Sequence, residues 1–228
     1  MTAAEGRDPA AELAGGLIVS CQAPPDSPLR EPEMTARIAL AAVLGGAAGL
    51  RINGPEDVEA VRAVTTVPIV ALHKVAGRRR NLITPTPALA DGLIRAGADV
   101  VAVDATAEAA DEGADPLSAF FADGRVIMAD VSTLDEGLRS WDLGVAFVAT
   151  TLSGYTPDSP TMDGPDLALV ESLVRHGVRT VAEGRYRTPE QVVAAFDVGA
   201  HAVVVGGAIT DPLGTTRRFL HALGGAPR

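Results

Sequence analysis

Eight short apolar runs alternating from end to end with eight helical patterns predict a single (β/α)8 TIM barrel. Length and composition point the same way. At 228 residues the chain is about the size at which one such barrel closes around a single core. With 47% hydrophobic but only 4% aromatic residues, that core must be built from Ala, Val, Leu and Ile. Such side chains suit buried parallel strands packed on Ala-rich helices. A doubly wound open sheet is the rival. It would more often carry a glycine-rich turn after its first strand, where Cys21-Gln22-Ala23-Pro24-Pro25 stands instead.

The strand-like runs cover residues 17–21, 49–52, 69–73, 100–103, 126–129, 147–150, 180–182 and 202–205. Each is brief, rich in Val, Ile and Ala, and bounded by Gly, Pro or polar residues. The helical patterns between them cover 32–44, 56–64, 87–96, 116–121, 134–143, 165–175, 189–196 and 215–223. Pro55-Glu56-Asp57, Thr133 ahead of Asp135-Glu136, and Thr188-Pro189-Glu190 supply the proline, capping hydroxyl or early acids of a first helical turn. Gly97, Gly144, Gly177 and Gly199 suit the left-handed turn that closes a helix before the next strand. Residues 1–14 carry Glu5, Asp8 and Glu12 with no sustained apolar stretch, and read as a flexible N-terminal tail rather than a signal peptide. The barrel domain then spans 15–224.

The net charge of −10 and pI of about 4.8 leave no basic face for nucleic acid. The longest apolar stretch, 38–50, is interrupted by Gly45 and Gly46 and is shorter than the ~20 residues of a spanning helix, so no membrane segment is expected. Cys21 is the lone cysteine. It cannot form an internal disulfide or a Cys-based zinc site, which fits a reducing, cytoplasmic setting, and it reads as a small buried apolar residue. The histidines at 73, 176, 201 and 221 show no ligand spacing, so no metal is expected.

In barrels of this class the active site lies at the C-terminal ends of the strands. Those ends here carry Gln22, Arg51, Lys74, Asp104, Asp130, Thr150-Thr151, Glu183 and Gly206-Gly207. Alternation puts Lys74 on the side of Leu72 and Val70, and Glu183 on the side of Val181, facing the barrel mouth. Each residue also has a plainer reading. Lys74 and Arg78-Arg79-Arg80 would serve in a solvated loop, Asp104 and Asp130 as helix caps, and Arg51 as an ion-pair partner. Glu183 is harder to set aside, because an acid closing a buried strand needs a partner or a task. Gly184 and Gly206-Gly207 follow the seventh and eighth strands, where many barrels bind phosphate through backbone N–H groups. An acidic chain that handles an anionic ligand must gather its cations locally.

Seven blocks resemble, in order, the signature segments of the N-acylglucosamine-6-phosphate 2-epimerase family. They are Gly16-Leu-Ile-Val-Ser-Cys-Gln22, Pro68-Ile-Val followed by Lys74, Ala98-Asp-Val-Val-Ala-Val-Asp-Ala-Thr106, Ala129-Asp-Val-Ser-Thr133, Thr150-Thr-Leu-Ser-Gly-Tyr-Thr156, Val181-Ala-Glu-Gly-Arg-Tyr186 and Val204-Val-Gly-Gly-Ala-Ile-Thr210. The resemblance runs from about residue 15 to 223 and implies a (β/α)8 barrel with no metal or organic cofactor. It implies a phosphosugar substrate and interconversion of N-acetylmannosamine 6-phosphate and N-acetylglucosamine 6-phosphate, as in sialic acid catabolism. By the same resemblance Lys74 is the catalytic lysine and Glu183 its acidic counterpart. Gln22, Arg51 and Asp130 hold the sugar, joined by Asp104, Thr151 and Arg185, and Gly184, Gly206 and Gly207 bind the phosphate. A homodimer is compatible with a barrel of this size.

The chain departs from the family pattern twice. Val75, Ala76 and Gly77 follow the lysine, where the family commonly has Arg and then an acid. Asp211 precedes Pro212, where the family commonly has Arg. The departures bear on phosphate affinity and substrate, and Arg78, Arg79 or Arg80 would be positioned to compensate. Two other functions stay open at this point. A lysine at a strand end also serves Schiff-base aldolases, and a barrel that has lost activity could persist as a sugar-phosphate sensor.

Overall fold

The computed structural model describes residues 7–121 and 124–224. Eight parallel strands close into a barrel: β1 (Gly16–Cys21), β2 (Gly49–Asn53), β3 (Ile69–Leu72), β6 (Val100–Asp104), β7 (Ile127–Asp130), β8 (Phe147–Ala149), β9 (Thr180–Ala182) and β10 (Ala202–Val205). First and last strands meet in register, Gly16 beside Ala202 and Val19 beside Val205. Between β3 and β6 rises an antiparallel hairpin, β4 (Lys74–Ala76) with β5 (Asn81–Ile83). The third predicted strand therefore stops one residue early, and Lys74 opens the hairpin above the barrel.

Helices cover the outside: α2 (Pro32–Leu44), α3 (Pro55–Arg62), α4 (Pro87–Arg95), α6 (Leu134–Asp142), α7 (Leu167–Arg175), α8 (Pro189–Asp197) and α10 (Pro212–Ala222), while the predicted helix at 116–121 is a 3-10 turn, Leu117–Phe120. Thr133 with Glu136, and Thr188 with Gln191, form reciprocal capping boxes at the starts of α6 and α8. Shorter helices α1 (Pro9–Leu13), α5 (Ala107–Asp111) and α9 (Gly207–Thr210) complete the chain.

Strand alternation sorts the core into two shells. Val19, Leu50, Ile52, Ile69, Ala71, Val101 and Val103 face outward onto the helices. Ile18, Val70, Leu72, Val100, Ala102, Met128, Phe147, Val181 and Val204 fill the barrel, together with Leu13 of α1. That last residue corrects the tail expected over 1–14. Asp8 caps α1 by accepting from Ala10 N at 3.0 Å, Leu13 is fully buried, and His201 Nε2 meets Ala10 O at 2.9 Å. A five-residue helix is too short to show periodicity, and burial of one leucine holds it. Residues 1–6 of that expected tail lie outside the described residues.

Leu13 fits because a floor position is glycine. A Cβ on Gly49 would collide with the Leu13 side chain, and one on Gly16 with Ala48. At the other side of the molecule α10 buries none of its residues, and Phe219 is 71% exposed. A groove of about 460 Å³ lined by Leu17, Val19, Ile38, Ala42 and Ile209 lies open beside α2. Among the described residues no helix is long and apolar enough to cross a membrane.

Candidate active site

The inward positions just above the apolar layers are polar on nearly every strand, and they interlock around Arg51. This guanidinium is 1% exposed; Nη2 contacts Asp130 Oδ2 at 2.5 Å and Nη1 contacts Glu183 Oε2 at 3.0 Å. Thr151 Oγ1 lies 2.7 Å from Asp130 Oδ1 and 3.0 Å from Glu183 Oε2. The Glu183 backbone is itself fixed, its N–H donating to Thr150 Oγ1 at 3.0 Å while that hydroxyl donates back to Glu183 O at 2.9 Å. A single Thr151 proton cannot satisfy two carboxylates. The geometry is best satisfied when one of the two carboxyl groups keeps a proton. Burial pushes both Asp130 and Glu183 above the ordinary carboxylate range, against the opposing charge of Arg51; Asp130 further raises Glu183, and Asp104 raises Asp130.

Lys74 stands over this cluster. Its backbone N–H donates to Asn53 Oδ1 at 2.9 Å. The side chain is solvent-accessible at the mouth, and among the described residues its ammonium has no hydrogen-bond or ion-pair partner. The enclosing walls strip part of its hydration and lower its pKa; Arg51 adds to that effect, while Glu183 and Asp130 oppose it. Lys74 is also the only lysine in the chain, beside eighteen arginines. Arginine cannot give up its proton in a protein and lysine can, so the chain's one lysine brings to the mouth a side chain able to become a neutral amine.

A cavity of about 770 Å³ opens above, lined by Gln22, Lys74, Thr151, Glu183, Gly184, Arg185, Gly206 and Gly207 among others. Eight of the predicted site residues thus converge. Gln22 Nε2 donates to Ser20 Oγ at 2.9 Å, which leaves its buried Oε1 as an acceptor without a partner among the described residues. Gly184 has φ +114°, a conformation that favours glycine. Arg185 is partly committed: Nε and Nη1 hold Gly164 O and Ser153 O at 2.8 and 2.7 Å, and its guanidinium lies 5.0 Å over the Tyr155 ring. Its Nη2 is buried without a partner among the described residues.

Three expectations change. Arg51 and Asp130 are buried outside the cavity lining and touch the lining residues Glu183 and Thr151 instead. Asp104, expected to touch substrate, is fully engaged elsewhere. Its carboxylate accepts from Arg80 Nη1 at 2.6 Å, from Thr106 Oγ1 at 2.7 Å and from Ile83 N at 3.3 Å. Asp211 caps α10, accepting from Gly214 N at 2.9 Å. Cys21 is buried and its thiol is pushed up to about 12, consistent with an inert apolar residue.

Sequence reasoning missed Arg187 and Arg218, which join Arg79, Arg80 and Arg185 around the mouth. In a chain of net charge −10, Glu183 is the sole carboxylate among the described lining residues, against Lys74 and five arginines, of which Arg80 is already neutralised by Asp104 and Glu108. The mouth is a cationic funnel matched to an anion.

Comparison with known proteins agrees with this geometry. Residues 35–225 match the family model described as "Putative N-acetylmannosamine-6-phosphate epimerase". A Cutibacterium acnes protein of the corresponding 2-epimerase name is 46% identical over 223 residues, covering 93% of this chain and 96% of the relative. One from Klebsiella pneumoniae strain 342 is 49% identical over 199 residues, covering 86% and 84%. The solved structure of the N-acetylmannosamine-6-phosphate 2-epimerase from Clostridium perfringens superposes with a TM-score of 0.88 at 37% identity, covering 97% of this chain and 99% of that one. A thiamine phosphate pyrophosphorylase from Pyrococcus furiosus, at 17% identity and a TM-score of 0.62, shares the fold. On sequence and structure together, the chain belongs to the N-acetylmannosamine-6-phosphate 2-epimerase family.

Proposed function

We propose that this chain interconverts N-acetylmannosamine 6-phosphate and N-acetylglucosamine 6-phosphate by taking the C2 proton from one face of the open-chain sugar and returning a proton to the other. The observation that carries the reading is the lone lysine, its basicity lowered, standing over the buried carboxyl groups of Asp130 and Glu183 that Thr151 bridges. The neutral Lys74 amine accepts the C2 proton. The C–H electron pair shifts into a C1–C2 double bond and the aldehyde oxygen takes up negative charge. Protonated Glu183 gives a proton to the opposite face of C2 as the enolate collapses back to the aldehyde, which leaves Lys74 protonated and Glu183 ionised until exchange with solvent resets both. Gln22 Oε1 is placed to accept from a sugar hydroxyl, and Gly184, Gly206 and Gly207 let the phosphate approach the backbone within the arginine funnel.

Proton NMR of the protein with N-acetylmannosamine 6-phosphate in deuterated water tests this. The expected outcome is the gluco epimer carrying deuterium at C2. Absence of both turnover and exchange in a folded sample would overturn the reading. Capture of the sugar on Lys74 by borohydride would replace it with Schiff-base chemistry.

The same reading sets the protein in the cytoplasm, in amino-sugar breakdown such as that of sialic acid. It also extends to assembly. The uncovered apolar face of α10 and the open groove beside α2 suit a second copy of the chain, and we infer a homodimer. Sedimentation at micromolar concentration should give twice the monomer mass, and a monomer there would count against it.

A further inference from the structure

We propose that Arg80 is a positioning residue for Lys74, acting as a clasp that fixes the β4–β5 hairpin to the end of β6. The inference rests on the reading of Lys74 as the base. Lys74 is paired in register with Ile83 across the hairpin, so whatever anchors β5 sets where the lysine backbone sits.

Arg80 stands just before β5, and it is no solvated loop residue: its side chain is 13% exposed. Nη1 donates to Asp104 Oδ2 at 2.6 Å and to Asn81 O at 3.0 Å. Nη2 donates to Thr106 Oγ1 at 2.8 Å and to Asp104 Oδ1 at 3.2 Å, and Nε donates to Glu108 Oε2 at 2.8 Å. The guanidinium is held by two carboxylates and a hydroxyl on β6 and α5, a planar, multidentate fit that an ammonium cannot reproduce. Asp104 Oδ2 also accepts from Ile83 N at 3.3 Å, so one carboxylate holds both the clasp and the residue opposite Lys74.

The hairpin base is fixed as firmly. His73 N donates to Thr84 Oγ1 at 3.0 Å, and Thr84 N donates to His73 O at 2.8 Å. Thr84 is buried at φ +47°, a conformation that strains a β-branched residue and persists only where surrounding contacts impose it. Hairpin strain and a saturated arginine on the element carrying the base are consistent with placement rather than tethering alone. The clasp also accounts for Asp104, which the sugar-binding expectation does not.

Two measurements on the full-length protein test the proposal. The first follows C2 exchange and turnover in Arg80→Met and Arg80→Lys. A fall in kcat of about 100-fold with KM changed by less than about threefold is expected, with partial recovery when guanidinium chloride is added to Arg80→Met. The second needs no turnover. Reductive methylation with ¹³C-formaldehyde labels Lys74 and the N-terminus alone, since no other lysine exists. The Lys74 resonance reports its titration among Arg51, Glu183, Asp130 and Arg30, the charges that face it. In Arg80→Met that titration should move up toward an ordinary lysine as the side chain gains water. If Arg80→Met does not fold, Glu108→Gln removes one strut and should give a smaller shift of the same sign. An unchanged titration with unchanged kcat in a folded variant overturns the clasp. Absence of turnover in the wild type overturns the base assignment, and the titration still decides the clasp.

Discussion

The two ends of the barrel are built on opposite principles. At the floor, Leu13 drops into a seat left open because Gly49 lacks a side chain, within a cluster of apolar residues. At the mouth, Arg51 is buried among carboxylates, Gln22 Oε1 and Arg51 Nε lack partners among the described residues, and Lys74 stands unpaired. The floor is satisfied packing that yields stability. The mouth holds unsatisfied polar groups whose desolvation the fold must offset. The difference teaches where function lies before any ligand is considered: at the end whose hydrogen bonds are left unfinished.

The largest expected effect comes from removing the proposed base at the mouth. Lys74→Ala should lower turnover by about 10²–10⁴-fold, the usual contribution of a general base, as read by the NMR assay. It should leave the fold intact. The Lys74 pKa is lowered in the folded chain, so between that value and the ordinary one near 10.5 the unfolded chain binds more protons. Stability therefore rises with pH across that window, and at neutral pH a neutral residue at 74 should be no less stable. A variant that loses its melting transition would blur the distinction between the two ends.

Leu13→Ala should do the reverse. Truncating a fully buried leucine typically costs about 2–5 kcal/mol, visible in a urea titration, while kcat and KM hold. A large loss of kcat with unchanged stability would mean that floor and mouth are coupled.

The smallest effect sharpens the electrostatics within the mouth. Glu183 raises the Lys74 pKa, so Glu183→Gln should shift the rising limb of the kcat/KM profile to lower pH even as its height falls. A shift to higher pH would show that the carboxyl group acts on Lys74 by contact rather than by charge.

The eight strands and the main covering helices were legible because each run of Val, Ile and Ala is long enough to show its period and is punctuated by Gly or Pro. The convergence of Gln22, Lys74, Thr151 and Glu183 was legible for the same reason, since strand alternation fixes direction. Depth was not. Arg51 and Asp130 read as ligands of the sugar because sequence gives the side of a strand but not the layer on which a side chain stops. Asp104 misled because its partner, Arg80, is far along the chain and looked like one of three loop arginines. The signal that went unread was the simplest: one lysine among eighteen arginines.

The floor of the barrel also constrains when the molecule can be finished. Leu13 is synthesised ahead of every strand of the barrel, yet its helix is held by His201 Nε2 at Ala10 O and by His201 O accepting from Gly15 N at 2.8 Å. That anchor is synthesised nearly two hundred residues later. The earliest segment must wait unsealed, with its leucine exposed, until β10 arrives beside β1. Closure of the ring and burial of the plug are then one event, and Leu13 reaches its native place only when the last strand does.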